Sequence, residues 1–356
     1  MNTTQTPALS FVIPALNSAA TLGECLASIR NQNVPRNHFE IILADAGSTD
    51  ATRDIAQQHG VDVIVENPLK TGEAGKSAGI RVARGEIIVL VDSDNILPDP
   101  SWLRAMLAPF DDPNVIAAEP LRYTRRGKDP SLTRYFALLG MNDPLCLFLG
   151  NYDRFCGITG KWTGLDVPNE DRGNWLALDC DPSVMPTIGA NGFVFRRSAL
   201  AGVDWDPYFF DMDVARQMVA NRAEKIAKVK CGIVHLYCAR FRDFCRKQNR
   251  RVRDFLFYSR SFASFDDKKK DDALSLRARS WQGPSLCHGV LRFAFSTVLI
   301  FPLLFQQFRG MMRHPDRAWW WHVPVCAATL WIYGRAVVLK KLGLLKGPAE
   351  RKNWKQ

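Results

Sequence analysis

Residues 86–94 read Glu86-Ile87-Ile88-Val89-Leu90-Val91-Asp92-Ser93-Asp94. Five aliphatic residues in a row, with no polar alternation, describe a strand buried on both faces, and such strands belong to parallel sheets covered by helices. Two aspartates follow at its carboxyl end, where open α/β sheets bind their ligands. Similar text surrounds it. Residues 9–13 form an apolar run stopped by Pro14, and 19–30 have helical spacing with Leu22, Leu26 and Ile29 on one face. Residues 39–43 form another strand, ended by Asp45-Ala46-Gly47-Ser48-Thr49-Asp50. Helices over 52–59, 74–84 and 102–110 and strands over 61–65 and 115–118 complete an alternation that predicts an α/β domain, its mostly parallel sheet covered on both faces. Asp45, like Asp92 and Asp94, falls at a strand's carboxyl end.

Residues 121–185 hold many Gly, Pro, Trp and Asp with little periodicity, and predict a loop-rich insertion that shapes an acceptor pocket. Strand text returns over 187–196 around Gly189-Ala190-Asn191-Gly192. A helix with an acidic start is expected over 211–227, a strand over 231–237 and a very basic amphipathic helix over 241–260. Cys231, Cys238 and Cys245 recur every seven residues, a spacing that could place them on one helix face. The 9 cysteines show no CxxC pair or metal-ligand spacing and read as buried free thiols. No secretory signal opens the text, and a reducing cytoplasm fits both observations.

With 356 residues, 47% hydrophobic and 23% charged, the chain can bury a large core; disorder, a collagen-like fibre and a disulfide scaffold are excluded. The net charge of +11 is unevenly placed: residues 242–355 carry 23 basic against 8 acidic side chains. That excess lies outside the enzyme-like part and beside apolar stretches, which points to an anionic membrane surface and not to nucleic acid. The stretches are 286–308, broken by Pro302, and 323–339, which carries Arg335. Both are borderline against the roughly 20 apolar residues a spanning helix needs. A spanning hairpin would put Arg309, Arg313 and Arg317 outside, against the positive-inside tendency, whereas a re-entrant or in-plane pair keeps them on the cytoplasmic side. Core helices of a soluble C-terminal domain are the plainer alternative; Trp319-Trp320-Trp321 at an apolar boundary favours the membrane. The expected organisation is a catalytic domain over 1–260, a polar linker over 261–282 containing the charged run 266–272, and a membrane-associated helical region over 283–356.

Taken in order, the segment 11–17, the 45–50 turn, Asp92-Ser93-Asp94, Gly189-Ala190-Asn191-Gly192, Asp211-Met212-Asp213 and His235 resemble the family 2 glycosyltransferases with the GT-A fold, over about residues 8–260. The resemblance implies an inverting, metal-dependent transfer from a nucleotide-diphosphate sugar to a lipid-linked or cell-envelope saccharide acceptor at the cytoplasmic membrane face. It implies Mg²⁺ or Mn²⁺ on Asp94 and Asp92, which suits hard cations that take few carboxylates and keep waters. Asp45 would contact the nucleotide base, although Ala46 stands where the family often has a second acid. Pro14, Ala15 and Asn17 form the first strand-to-helix turn, where backbone approaches base or ribose. Lys76 could reach a phosphate or begin a solvated helix. Gly189, Asn191 and Gly192 resemble the loop near the donor sugar, and His235 a late histidine that assists metal or diphosphate. Asp211 matches the catalytic base, with Phe210 where a Glu is common; it also suits a helix start, where acids favour the dipole.

Lys247-Gln248-Asn249-Arg250-Arg251 resembles the Gln-x-x-Arg-Trp motif of processive members, but Val252 replaces the Trp, so processive polymerisation is not expected. This basic helix suits lipid headgroups and a diphosphate equally. A nucleotidyltransferase on a similar sheet is the rival enzyme, but its glycine-rich basic loop is missing from Pro14-Ala15-Leu16-Asn17-Ser18. A non-catalytic membrane scaffold is the rival from another class; it leaves Asp92, Asp94 and Asp211 without a purpose.

Overall fold

The computed structural model describes residues 7–221, 224–261 and 284–345. The first half alternates as expected: β1 (Leu9–Ala15), α1 (Ala19–Arg30), β2 (Phe39–Asp45), α2 (Thr52–Gln58), β3 (Val63–Glu66), α3 (Gly72–Val82), β4 (Ile87–Leu90), β5 (Asn95–Ile96), α4 (Trp102–Leu107) and β6 (Val115–Tyr123). Then come α5 (Ser131–Leu139), α6 (Leu145–Leu149), β7 (Asn169–Asp171), β8 (Trp175–Leu178), β9 (Phe193–Arg196), α7 (Asp211–Asn221), β10 (Lys225–His235) and α8 (Phe241–Ser261). The C-terminal part is α9 (Pro284–Leu299), α10 (Phe301–Arg313) and α11 (His322–Lys341).

The sheet order is β3-β2-β1-β4-β9-β6-β10-β8-β7, with β5 pairing β10 off this path. β1 runs parallel to β2 and β4, whereas β9 is antiparallel to both β4 and β6. Alternation across the central strands builds two cores. Phe11, Ile13, Ile41, Leu43, Val89 and Val91 meet α1 and α4 on one face. Val12, Ile42, Ile88 and Leu90 meet α3 and α7 on the other. Helix α3 rides close on β1, since a Cβ at Gly79 would fall 2.4 Å from Val12 Cγ1.

Three expectations change. The segment 121–185 is less irregular than its composition suggests: it contributes α5, α6 and two strands, with Leu132, Tyr135 and Phe136 buried. The helix expected over 211–227 stops by Asn221, and Lys225 already begins β10, because Ile226, Ala227 and Val229 are needed in the sheet's cores. Cys231 therefore lies on β10, Cys238 beyond it and Cys245 on α8, so the three share no helix face. All nine cysteines are free, but Cys287 is exposed. The expected linker 261–282, apart from residue 261, lies outside the described residues.

The C-terminal helices pack on the α/β part. Trp319 and Val325 share a core with Tyr135, Phe136 and Phe244, and Leu303 and Cys326 share one with Leu145 and Phe148. The connection expected outside a membrane for a hairpin is instead tied to the α/β part: Arg313 donates to Ile158 O at 2.8 Å, and Asp316 pairs with Arg125 and Arg134. One helix, Arg317–Lys341, is long and apolar enough to cross a membrane by length and composition, while Leu286–Leu299 and Phe301–Arg313 meet at 92°. Val298, Phe301 and Phe305 stand 72%, 76% and 61% exposed around that elbow.

Beneath the sheet lies a dry charge network. Glu119, Arg154 and Lys228 are fully buried; Glu119 Oε2 is 2.9 Å from Arg154 Nη1 and 2.6 Å from Lys228 Nζ, and Asp153 pairs with Arg154. Glu119→Ala leaves two cations under-compensated in the interior. We expect chemical denaturation to show a loss of about 3–5 kcal/mol; a loss under about 1 kcal/mol, the scale of exposed pairs, would refute that reading.

Candidate active site

A cleft of about 590 Å³ opens at the carboxyl ends of β1 and β4. Pro14, Ala15, Lys76, Asp92, Asp94, Asn191, Asp211 and His235 all line it. Four sequence-expected residues stand behind the wall. Asn17, at φ 50°, accepts from the N–H groups of Thr49 and Asp50, so it ties the β1–α1 turn to the β2–α2 turn. Asp45 is buried; its carboxylate accepts from Ser48 N–H and faces Arg53 at 3.5 Å, and the next residue, Ala46, reaches the cleft. Gly189 lies at φ +123°, where a Cβ would come within 2.6 Å of Asp211 O, so only glycine lets the loop press against the start of α7. Gly192 occupies a similar left-handed turn beside Trp102 and Ile233.

The charge network positions this loop. Glu119 Oε1 accepts from Gly189 N–H at 3.1 Å, and Arg154 Nη2 donates to Ala190 O at 2.8 Å. Asn191 then reaches across, its Oδ1 accepting from Asn95 Nδ2 at 3.0 Å and its Nδ2 donating to Tyr123 OH at 3.2 Å. The short β5–β10 pairing sets His235 opposite Asn95, which puts His235 Nε2 3.6 Å from Asp94 Oδ1.

Lys76 does not begin a solvated helix. It is buried, and its Nζ donates to Asp211 Oδ1 and Oδ2 at 2.7 and 2.8 Å and lies 4.0 Å from Asp92 Oδ1. Burial alone would lower the ammonium's pKa, but Asp211 and Asp92 outweigh it and raise it. Burial pushes the Asp211 carboxyl up to about 7; Lys76 pulls it down by less, and Asp92 and Glu73 add to the rise. For Asp94 the balance reverses: burial raises it, yet His235 and then Lys247 hold the carboxyl below its usual range. Two cleft carboxylates thus sit in opposite electrostatic settings.

Among the described residues, no group of three or more His, Cys, Asp or Glu converges on one metal position. The donors present still fit a hard divalent cation. Asp92 and Asp94 reach the cleft partly exposed, with His235 beside them, and Mg²⁺ or Mn²⁺ completes its shell with water and phosphate oxygens.

The far wall carries side chains that sequence reasoning did not assign to the site. Arg246, Lys247, Arg250 and Arg251 of α8 all line the cleft, together with Asn142 and Tyr237. The basic run was visible in the sequence, but its partner was not. Asn142 lay in the segment without periodicity and gave no signal.

These features define the fold as that of the GT-A glycosyltransferases. Residues 10–175 match the family model described as Glycosyl transferase family 2. The poly(ribitol-phosphate) beta-glucosyltransferase of Bacillus spizizenii is 37% identical over 102 residues, 27% of this chain and 16% of that protein. Glycosyltransferase AglE of Haloferax volcanii is 29% identical over 106 residues, 28% of this chain and 34% of that protein. The match thus spans 16% and 34% of these relatives' lengths. A solved structure, the mannosyltransferase PcManGT from Pyrobaculum calidifontis in complex with GDP-Man and Mn²⁺, has a TM-score of 0.50 at 18% identity, covering 92% of this chain and 87% of that one.

Because Lys76 lowers the Asp211 carboxyl pKa, its removal must raise it. In a carboxyl-¹³C NMR titration, Asp211 of the intact chain is expected to titrate near pH 7, and in Lys76→Met at higher pH. An unmoved or lowered midpoint in the variant would break the proposed coupling.

Proposed function

We propose that this protein is an inverting, metal-dependent glycosyltransferase that moves a sugar from a nucleotide-diphosphate sugar to a lipid-linked or saccharide acceptor of the cell envelope, at the cytoplasmic face of the membrane. One observation carries this reading: Asp92, Asp94, His235, Lys76 and Asp211, far apart along the chain, line a single cleft at the strand ends of a GT-A sheet. The names of two relatives that act on poly(ribitol-phosphate) support the acceptor class.

In this reading Asp211 faces the incoming acceptor hydroxyl and takes its proton. The acceptor oxygen bonds to the anomeric carbon while that carbon's bond to the phosphate oxygen breaks, so the electron pair leaves with the nucleoside diphosphate. A carboxyl poised near pH 7 suits a general base at neutral pH. Lys76 occupies both Asp211 oxygens, but each keeps a further lone pair for the hydroxyl. A divalent cation held by Asp94 and Asp92 with His235 would supply Lewis-acid stabilisation to the diphosphate. The α8 cations face the same anionic group from the opposite wall. Asp45, Pro14, Ala15 and Asn17 serve the nucleoside end of the donor, the first and last by fixing the two adjoining turns.

The test is product identity and its dependence on two carboxylates. With a panel of nucleotide sugars and Mn²⁺, the intact chain releases a nucleoside diphosphate, whereas Asp94→Ala and Asp211→Ala each lose at least about 10²-fold in kcat while keeping the parent's circular dichroism spectrum; Asp211→Ala melts lower, because it leaves the Lys76 ammonium uncompensated. The groups facing Asp211 are Lys76, Asp92 and Glu73, so kcat/KM falls as pH drops through about 7 and Asp211 becomes protonated; Asp211→Asn removes that limb. Release of pyrophosphate would identify the nucleotidyltransferase instead. Full activity in both alanine variants would refute the site.

The membrane reading rests on the exposed elbow of α9 and α10 and the basic residues nearby, an arrangement that suits a helical pair lying in the headgroup plane. Co-sedimentation with phosphatidylglycerol vesicles is expected for the intact chain, and the double variant Phe301→Asp, Phe305→Asp should bind at least about tenfold more weakly. Equal binding would remove the elbow from the membrane contact.

A further inference from the structure

The apolar C-terminal helix α11 touches the cleft's cations through one side chain. Tyr333, midway along α11, shares its hydroxyl proton between Asp143 Oδ2, in a short contact, and Gln248 Oε1 at 2.9 Å. Both acceptors also hold Arg251. The guanidinium Nη1 donates to Gln248 Oε1 at 2.9 Å and to Asn142 O at 3.2 Å, and lies 3.6 Å from Asp143 Oδ2. Arg251 and Asn142 line the cleft, while Asp143 and Gln248 are buried behind it. The phenol of α11 is thus the third member of a cage that fixes where one cleft guanidinium points.

We propose that Tyr333 is a positioning residue: it holds Asp143 and Gln248 so that Arg251 faces the cleft, and the seating of α11 thereby sets the affinity for the donor's diphosphate. The proposal rests on the donor-binding reading above. The chemistry is simple. Asp143 Oδ2 has two partners of unequal strength, the Tyr333 hydroxyl and Arg251. Asp143 Oδ1 keeps the Leu145 N–H at 3.0 Å, but without the hydroxyl the buried Oδ2 has only the guanidinium to satisfy it. Arg251 is then drawn from 3.6 Å toward Asp143, inward from the cleft, and its charge is spent before the ligand arrives. Gln248 Oε1 loses a donor in the same step and keeps only Arg251, while its Nε2 stays on Asn142 O at 3.1 Å. Asp211, Lys76 and the strand-end carboxylates make no contact with this cage, so bound substrate still reacts normally. The same helix carries part of the exposed apolar surface, with Trp331 71% exposed and Val338 54% exposed. The cage is therefore a physical route from the C-terminal region to the cleft.

The experiment compares the full-length chain, Tyr333→Phe, Arg251→Lys and the double variant. Uridine diphosphate and guanosine diphosphate, each with Mn²⁺, are titrated calorimetrically, and the tighter one is carried through the set. Tyr333→Phe is expected to weaken binding about tenfold, the loss of one hydrogen bond to a charged group. It should raise the donor KM in parallel, change kcat less than about twofold, and leave vesicle binding and the melting midpoint close to the parent. Arg251→Lys should weaken binding similarly, and the double variant should be no weaker than the worse single, because both act through one cage. Unchanged binding in Tyr333→Phe, or strictly additive losses, would overturn the proposal while leaving the donor site intact. If the parent chain binds neither diphosphate, the donor reading and this inference fall together.

Discussion

A buried ammonium organises this molecule's cleft. Lys76 is carried by α3, a helix that packs on β1 closely enough for glycine to be required at its contact with Val12. From there it bridges Asp211, at the start of α7, and approaches Asp92, at the end of β4. Three elements from distant parts of the chain are thus drawn to one point. An uncompensated ammonium there would be costly, so the pairing constrains how α7 sits against the sheet. The glycine at 189 allows that seating, and the Glu119–Arg154 pair holds the glycine's loop from below. The cleft's chemistry therefore depends on a charge arrangement that extends well beneath it.

Much of the fold was legible because its signals are local. The mostly apolar runs of β1, β2 and β4 indicate two covered faces, and the ends of β2 and β4 place Asp45 and Asp92 without further information. The basic face of α8 was equally plain. Other features depended on partners the sequence does not name. Residues 225–227 looked like the end of a helix, yet they begin a strand whose next residue, Lys228, meets Glu119 more than a hundred positions earlier. Lys76 was divided between a phosphate contact and a solvated helix start, and its pairing was hidden because Asp211 is 135 residues away. The basic run of α8 was divided between headgroups and phosphate, and the fold puts four of its side chains on the cleft.

The C-terminal region shows how packing changes a reading made from hydropathy alone. Its apolar stretches were borderline as spans, and two of its helices meet at 92°. Their buried faces pack on α5, α6 and α8, and the arginine-bearing connection is tied to the α/β part through Ile158, Arg125 and Arg134. What stays outward is a compact apolar elbow with basic residues nearby. A surface of this kind seats a protein on a bilayer without committing its connections to the far side.

The account's central claim is that strand-end carboxylates, the Lys76–Asp211 pair and the α8 cations enclose one diphosphate. A crystal structure of the full chain with a nucleoside diphosphate and Mn²⁺ tests this directly. The account predicts the cation roughly 2 Å from a carboxylate oxygen of Asp94, with the phosphates between it and Arg251 and the Asp211 carboxylate open toward the remaining space. A nucleotide bound outside this cleft, or a cation held by other residues, would contradict it.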